Sequence, residues 1–167
     1  MSVSLRPASV ADVGVLVSLV TDPAVAPFLA AVRARDPDAI RAEVEQALAA
    51  PDAHGLLVIE RAGEPVGTVA WERVNRRSRI AAVHGLAVAP AARGDGVGRA
   101  AMLELLVELF DRRGFHRVEL EVYGFNACAA AFFERLGFVP EGVRRLAYLR
   151  DERWVDGLRF GMVVEDR

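Results

Sequence analysis

The sequence contains a single cysteine, Cys128, among its 167 residues. One thiol excludes an internal disulfide and is typical of proteins from a reducing compartment. Long apolar runs are also missing, because the stretches at 13–20 and 100–110 are too short or too interrupted by charge to span a membrane. The N-terminus lacks the charged and then apolar pattern of a signal peptide. We therefore expect a cytoplasmic protein with no membrane partner.

The chain has little excess charge of either sign. Its formal net charge is −2 and its pI is about 5.9, so no general attraction to nucleic acid is expected. Hydrophobic residues make up 53% of the sequence, which is enough for a sizeable core at this length. We expect one domain that covers residues 1–167.

Three glycines occur in the segment 93–98, which reads RGDGVG. A strand-like stretch at 80–88 precedes it, and residues 97–113 read as one helix. Glycines let the backbone approach a ligand, and the free N–H groups at a helix N-terminus favour a phosphate. Arg93 adds a guanidinium that can bind the same group. This order of elements predicts an anion site.

Two other phosphate-binding motifs fit this segment less well. A P-loop is excluded because no Lys-Ser or Lys-Thr pair follows the glycines. The dinucleotide fingerprint is matched loosely by Gly96 and Gly98, with Glu119 or Glu121 near the position of a ribose-binding acid. However, residues 89–95 separate the strand from the first glycine of that pattern, and too little chain follows for a doubly wound domain. A nucleotide-dependent oxidoreductase is therefore a weaker alternative function.

Hydrophobic periodicity and turn residues predict the remaining elements. Ser9 and Asp12 form an approximate capping box, and Gly114 is suited to end the helix at 97–113. Residues 21–37 lack periodicity and are expected to form a loop with short helical turns. We expect strands at 3–6, 55–61, 65–74 and 116–123, and helices at 9–20, 38–50 and 127–135.

Taken together, these motifs resemble the GCN5-related N-acetyltransferase (GNAT) superfamily. They are LAVxP at 86–90, RxxGxG at 93–98, and Asn126 followed by FERLGF at 133–138. The resemblance covers residues 80–164 well and residues 1–79 only through element order and an opening LRPAxxxD pattern. The C-terminal segments at 137–142 and 154–156 resemble the bacterial branch that acetylates amino acids, N-termini or small amines.

The resemblance implies a single α/β domain. Its central sheet would be mixed and mostly antiparallel, with two splayed parallel strands and about four flanking helices. Acetyl-CoA would be the acetyl donor, and its pantetheine arm would lie between the splayed strands against Leu86, Ala87 and Val88. One backbone N–H there would serve as the oxyanion donor. The pyrophosphate would be bound by Arg93, Gly94, Gly96, Val97, Gly98 and Arg99.

Two further residues of the implied donor site lie near the next helix. Asn126 would bond the pantetheine amide, although capping the helix at 127–135 explains it equally well. Phe133 would contact the donor, but many relatives have a tyrosine there that protonates the departing thiolate. Phenylalanine has no hydroxyl. Three alternatives follow from the missing hydroxyl. The thiolate would leave unprotonated, or Tyr123 or Tyr148 would replace the acid, or the protein would bind acetyl-CoA without turnover.

The general base is the second departure from the family pattern. Many relatives place a glutamate at the position that is Ala82 here. His84 lies two residues on, hence on the same strand face, and its ordinary pKa suits a base. A structural histidine bonded within the sheet is the alternative, and Glu72 and Glu121 are fallback bases. We assign the catalytic role to His84 and expect no metal site.

The interpretation is an N-acetyltransferase that moves acetyl from acetyl-CoA to a primary amine by direct attack in a ternary complex. The partner would be a small-molecule amine, an amino acid or a peptide N-terminus, and a homodimer is compatible with it. A non-catalytic acetyl-CoA-binding sensor is the alternative function. A covalent acyl carrier role for Cys128 is a minor one.

Overall fold

The computed structural model describes residues 2–29 and 36–167, and its centre is a seven-stranded sheet. The order across the sheet is β1-β2-β3-β4-β5-β7-β6, and all neighbours are antiparallel except β4 and β5. The strands are β1 (Val3–Pro7), β2 (His54–Arg61), β3 (Glu64–Asn75), β4 (Ile80–Val88), β5 (Arg117–Tyr123), β6 (Val139–Arg150) and β7 (Arg153–Val163).

Four α-helices cover the two faces of the sheet. They are α1 (Val13–Thr21), α2 (Pro37–Ala49), α3 (Val97–Val107) and α4 (Ala127–Arg135). One buried apolar cluster joins α1 and α2 to the sheet, and another joins α3 and α4 to its opposite face. The predicted fold class, a mixed and mostly antiparallel sheet flanked by about four helices, is confirmed. No helix in the described part of the chain is long and apolar enough to cross a membrane.

The predicted elements are found with local differences in bounds or winding, whereas no strand is predicted at β6 or β7. The strand at 80–88 and the helix at 127–135 agree to the residue. The helix predicted at 9–20 is instead a 3-10 turn followed by α1, because the Asp12 carboxylate accepts hydrogen bonds from the Ser9 N–H (2.7 Å) and the Ser9 hydroxyl (2.8 Å). Within the predicted loop 21–37 a 3-10 turn forms at Ala26–Phe28, while residues 30–35 lie outside the described residues.

The helix predicted at 97–113 changes its winding near its end. After α3, residues 108–112 form a π-helical turn. Gly114 then follows with φ +68°, as expected of a residue that ends a helix. The sequence pattern does not predict β6, because this strand lies at the edge of the sheet and is exposed along most of its length.

The two parallel strands touch only at their beginning. Their register comprises three pairs: Ile80 with Arg117, Ala81 with Val118, and Ala82 with Glu119. Beyond Ala82, β4 continues to Val88 along β3 and β5 continues along β7. The expected splay of the parallel pair is therefore present, and it opens a gap through the sheet.

A bulge interrupts β4 inside this gap. His84 pairs with Ala70 of β3, but the next registered pair is Ala87 with Thr68. Gly85 has φ +64°, the left-handed conformation that glycine adopts at low cost. The extra residue shifts the alternation of side chains, so Val83 and Leu86 both contact the α3 and α4 cluster although they are three positions apart.

Candidate active site

A cavity of about 370 Å³ lies where β4 and β5 diverge. We call it the active-site cavity. It passes through the sheet, so its two sides are lined by side chains from opposite strand faces. Residues from β3 to β7, from α4 and from the segment after α1 contribute to its walls.

The side of the active-site cavity toward α3 and α4 is apolar. Phe133 is buried, and its ring centre lies 5.1 Å from that of Phe132 and 5.7 Å from that of Phe138. Phe133 therefore contributes packing and lines the active-site cavity. Asn126 also lines the cavity, and its side chain accepts a 3.1 Å hydrogen bond from the Ala129 N–H as the N-cap of α4.

The opposite side carries polar groups from β3 and β4. His84 pairs with Ala70 and Ala82 pairs with Glu72, so His84 and Glu72 are diagonal neighbours on one face. Such neighbours lie roughly 7–8 Å apart between their Cα atoms. All three side chains of this group, Glu72, Ala82 and His84, line the active-site cavity. Ala82 indeed leaves the position without a carboxylate, and His84 is the titratable side chain nearest to it on β4.

A hydrogen-bonded group from β5 and β6 forms the far wall. The Tyr148 hydroxyl donates to Glu121 Oε1 at 2.7 Å and accepts from Arg144 Nη1 at 3.0 Å. Burial and the adjacent Glu121 carboxylate raise the pKa of Tyr148, so its hydroxyl keeps its proton at neutral pH. Gly157 of β7 lies beneath this pair, and a Cβ there would overlap Glu121.

A second polar group surrounds Arg117 on the same side. Its guanidinium donates to Glu141 through two nitrogens, one bond measuring 2.7 Å, and to Glu119 at 3.2 Å. The hydrogen bonds from Arg117 hold the pKa of Glu141 below its usual range. Gly161 leaves the space for this pair, since a Cβ there would meet both Glu141 and Arg117.

Aromatic rings link the segment after α1 to the end of β5. Tyr123 stacks on Phe125 at 5.2 Å, and Phe28 lies 6.2 Å from Phe125 between ring centres. Arg150 donates to the Pro27 carbonyl at 3.0 Å and lies 5.1 Å from the Tyr123 ring centre. Phe28 and Tyr123 line the active-site cavity, so this aromatic row borders its polar side.

The glycine segment leads directly into α3. Gly96 is the N-cap with φ +78°, and no side chain in the described residues caps this end. The N–H groups of the first turn therefore stay available, as an anion site requires. Val97 is buried, whereas Gly94 and Arg99 are exposed.

Arg93 has a second set of partners that the sequence does not predict. Its Nε donates to the Val88 carbonyl at 2.9 Å and its Nη2 to the Ala24 carbonyl at 3.1 Å. Arg93 thereby ties the segment after α1 to the end of β4. Asp95 of the same segment pairs with Arg61 of β2 at 3.0 Å.

Several of these groups could not be read from the sequence. Tyr148 and Glu121 are 27 positions apart, and the register of β6 with β7 shifts between Arg144 and Tyr148. The only sequence signal is the pair of glycines, Gly157 and Gly161, four residues apart in a strand, since glycine in a strand marks close approach.

Cys128 is exposed and lies outside the cavity lining. Among the described residues no group of three or more His, Cys, Asp or Glu side chains could hold a metal ion.

The chain matches the model of the acetyltransferase (GNAT) family over residues 17–138. It is 42% identical over 91 residues to mycothiol acetyltransferase from Salinispora tropica, which is 52% of this chain and 29% of that protein. It is 37% identical over 96 residues to an uncharacterized N-acetyltransferase from Methanocaldococcus jannaschii, or 55% of this chain and 42% of that one. The chain thus spans less than half the length of these curated relatives.

Solved structures with the same fold cover nearly the whole chain. A chimera of spermidine N-acetyltransferase from Vibrio cholerae has a TM-score of 0.86 at 22% identity and covers 98% of this chain and 96% of that one. Ribosomal-protein-alanine N-acetyltransferase from Brucella melitensis has a TM-score of 0.82 at 23% identity and covers 96% and 99%. These likenesses in fold agree with the gap between β4 and β5 and with the glycine turn described above. Because the family model matches most of its residues, the chain belongs to the acetyltransferase (GNAT) family.

Proposed function

We propose that this protein transfers the acetyl group of acetyl-CoA to a primary amine by direct attack in a ternary complex. The observation that carries the proposal is the gap between β4 and β5 with a helix N-terminus beyond its end. The gap offers a free strand edge to an extended, amide-containing arm, and the helix offers free N–H groups to a phosphate.

The donor site would follow β4 into α3. Leu86, Ala87 and Val88 would contact the pantetheine arm through their main chain, and Asn126 and Phe133 would border it from α4. The residues around the first turn of α3 would bind the pyrophosphate: Arg93, Gly94, Gly96, Val97, Gly98 and Arg99. Because Arg93 already bonds two carbonyls, we expect its contribution to combine phosphate attraction with support of the loop.

The acceptor would reach the acetyl group from the polar side of the active-site cavity. Among the described residues, that side is lined by more carboxylates than guanidinium groups: Glu72, Glu119, Glu121, Glu141, Arg117 and Arg159. A net acidic wall attracts a protonated amine and disfavours an anionic acceptor. The relatives named for mycothiol, spermidine and ribosomal-protein alanine give the compounds to test first.

His84 would accept the proton of the acceptor ammonium, directly or through a water molecule. The freed amine would form the new C–N bond to the acetyl carbon while the C–S bond breaks and the electron pair leaves on sulfur. The nitrogen would then lose its second proton to the departing thiolate or to solvent, which leaves the neutral amide. Glu72, the diagonal neighbour of His84, would hold the ammonium before its deprotonation. Phe133 can supply no proton to the thiolate, and the Tyr148 proton is already bonded to Glu121.

Release of free thiol from acetyl-CoA across a panel of amines tests the proposal. Spermidine, amino acids and alanyl peptides should be compared, with mass spectrometry of each product. Acetyl-CoA binding by calorimetry without turnover on any acceptor would favour the sensor instead. Tight NAD binding without CoA binding would favour the oxidoreductase.

Cytoplasmic location and a homodimer stay predictions. Cell fractionation would test the location, and light scattering would test the oligomeric state.

A further inference from the structure

A second cavity, of about 380 Å³, lies beyond the beginning of β4. We call it the arginine cavity. Because β4 has nine residues, it lies about 30 Å along the strand from the glycine segment. The charged residues of its lining are Arg73, Arg76, Arg79, Arg112, Arg113 and Asp52. Five positive charges against one negative charge stand out in a chain whose net charge is −2.

Two of these arginines are held in place by their neighbours. Glu108 accepts from Arg112 Nη1 at 3.0 Å and from Arg113 Nε at 2.8 Å. Arg113 also donates to the Pro51 carbonyl at 2.7 Å, and its Cζ lies 4.6 Å from the Trp71 ring centre. The Arg113 guanidinium is therefore fixed before any ligand arrives, which lowers the entropy lost on binding.

The turn between β3 and β4 presents the remaining arginines. Asn75 Oδ1 accepts from the Ser78 N–H at 2.8 Å and closes the turn. Arg79 has φ +51°, a conformation that non-glycine residues adopt rarely. Its carbonyl accepts from the His116 N–H at 2.9 Å, which anchors the turn to the start of β5. Across the described ranges, the ion pairs of this region join Glu108 to Arg112 and Arg113, and none includes Arg76 or Arg79.

We propose that the arginine cavity binds the oligophosphate group of a small molecule, at a site separate from that for acetyl-CoA. Guanidinium groups bind phosphate oxygens in pairs, and several such groups around one concavity match a ligand with more than one phosphate. The cavity volume lies within the range of small-molecule sites. A free oligophosphate and the phosphate tail of a nucleotide share this chemistry.

Calorimetric titration with tripolyphosphate, in the presence of saturating CoA, tests the proposal. This step rests on the proposed function, in which CoA would fill the glycine segment and any heat would come from another site. We expect one tripolyphosphate per chain, with affinity that falls as salt is added. ATP in a parallel titration distinguishes the two sources: equal affinity indicates a free oligophosphate, and tighter ATP binding indicates a nucleotide.

Single substitutions locate the site. Arg76→Ala and Arg112→Ala, both at exposed positions, should each weaken tripolyphosphate binding roughly tenfold, as expected for loss of a charged hydrogen bond. Arg153→Ala removes the same charge from the exposed start of β7 and should leave the affinity unchanged. These comparisons need no acetyl transfer, so they succeed or fail independently of the proposed function.

Three results would overturn the proposal. The first is no tripolyphosphate binding to the wild-type protein at low salt. The second is equal weakening by Arg76→Ala and Arg153→Ala, which would mean diffuse attraction by the whole surface. The third is citrate binding as tightly as tripolyphosphate, since a site for any polyanion would not be a phosphate site.

Discussion

The two faces of the gap between β4 and β5 differ in chemistry although they are separated by one layer of backbone. Toward α4 the gap is lined by apolar and aromatic side chains such as Leu86 and Phe133, whereas the other face presents His84, Glu121 and Tyr148. Alternation along a strand places neighbouring residues on opposite faces. A reactive centre that lies in the plane of the sheet can thus be approached from an apolar side and a polar side at once.

The bulge at Gly85 sharpens this difference. Before it, Val83 faces the apolar side and His84 the polar side; after it, Leu86 faces the apolar side again. In a regular strand of the same length, without the bulge, Leu86 would share the face of His84 and point toward the polar groups. The bulge at Gly85, with its positive φ, therefore keeps the apolar wall continuous along the gap.

The largest effect should come from blocking the proposed acetyl-CoA site at the glycine segment, where the pyrophosphate would bind. In Gly96→Val, a branched side chain would occupy the space before α3 and disfavour the φ of +78° found there. We expect calorimetry to detect no acetyl-CoA binding. Gly114→Val imposes similar strain at the other end of the same helical segment, where φ is +68°. Binding lost equally in both variants would assign the loss to strain in the helix rather than to ligand approach.

On the polar face, His84→Ala should lower kcat about 100-fold or more and leave acetyl-CoA affinity nearly unchanged. The expected reason is loss of the group that accepts the ammonium proton. His54→Ala is the matched control, because His54 is also half-buried in a strand. A folded His84→Ala protein with the kcat of the wild type would remove His84 from the mechanism and leave Glu72 as the next base to replace.

The helical layer over the polar face depends on Asp12. Hydrogen bonds from Arg6 at 2.8 Å hold the pKa of Asp12 far below its usual range. Asp12→Asn should lower the free energy of unfolding at pH 7 by about 1.5–3 kcal/mol, the range for hydrogen bonds to charged groups. Acetyl-CoA affinity should not change, since the donor face is untouched.

The same variant has a defined pH dependence. A lowered pKa in the folded state means that Asp12 stabilises the fold above its unfolded-state pKa of about 3.9, and that this contribution is lost as pH falls below it. Urea unfolding of wild type and Asp12→Asn should therefore differ most at pH 7. The difference should shrink progressively as pH falls from about 5 to 3, because the unfolded chain binds a proton there while the folded carboxylate stays ionised. Asp38→Asn, at an exposed position of α2, serves as control. A difference that stays constant between these pH values would contradict the assignment.

The smallest effect should come from Tyr148→Phe, which breaks the 2.7 Å hydrogen bond to Glu121. If Tyr148 supplies the proton that Phe133 cannot, kcat should fall roughly tenfold, and Phe133→Tyr should partly restore it. Because the pKa of Tyr148 is raised, the ratio of the two rates should be constant between about pH 6 and pH 9. Tyr123→Phe tests the other candidate acid in the same way. An unchanged kcat in both variants would mean that the thiolate leaves without a tyrosine as acid.

Local sequence signals predicted the elements around the donor path well. Pro90 follows the end of β4, and Asn126 supplies a cap whose bond to Ala129 fixes the start of α4. Both signals act within a few residues, which is why these boundaries agree with the structure. The glycine segment was likewise placed correctly at the start of α3.

The polar face was harder to predict because its contacts are long-range. Glu121 was expected as a fallback base, but its bond to Tyr148 depends on how β6 pairs with β7 across a shifted register. The bulge in β4 has one local signal, Gly85 itself, but an isolated glycine in a strand does not distinguish a bulge from a close approach of another group. Arg93 was assigned to phosphate alone, and its bonds to Val88 and Ala24 join segments that are distant in sequence.

The short junction between the two parallel strands has a consequence for hydrogen exchange. Only the first three residues of β4 are registered with β5, so backbone amides at 85–88 that point into the gap meet no partner strand on that side. In the free protein these amides should exchange with deuterium faster than the neighbouring amides that bond to β3. A donor that pairs with this edge would selectively slow the deuterium exchange of these amides. A peptide covering 83–89 would then gain less mass when the donor is bound, even in a variant that transfers no acetyl group.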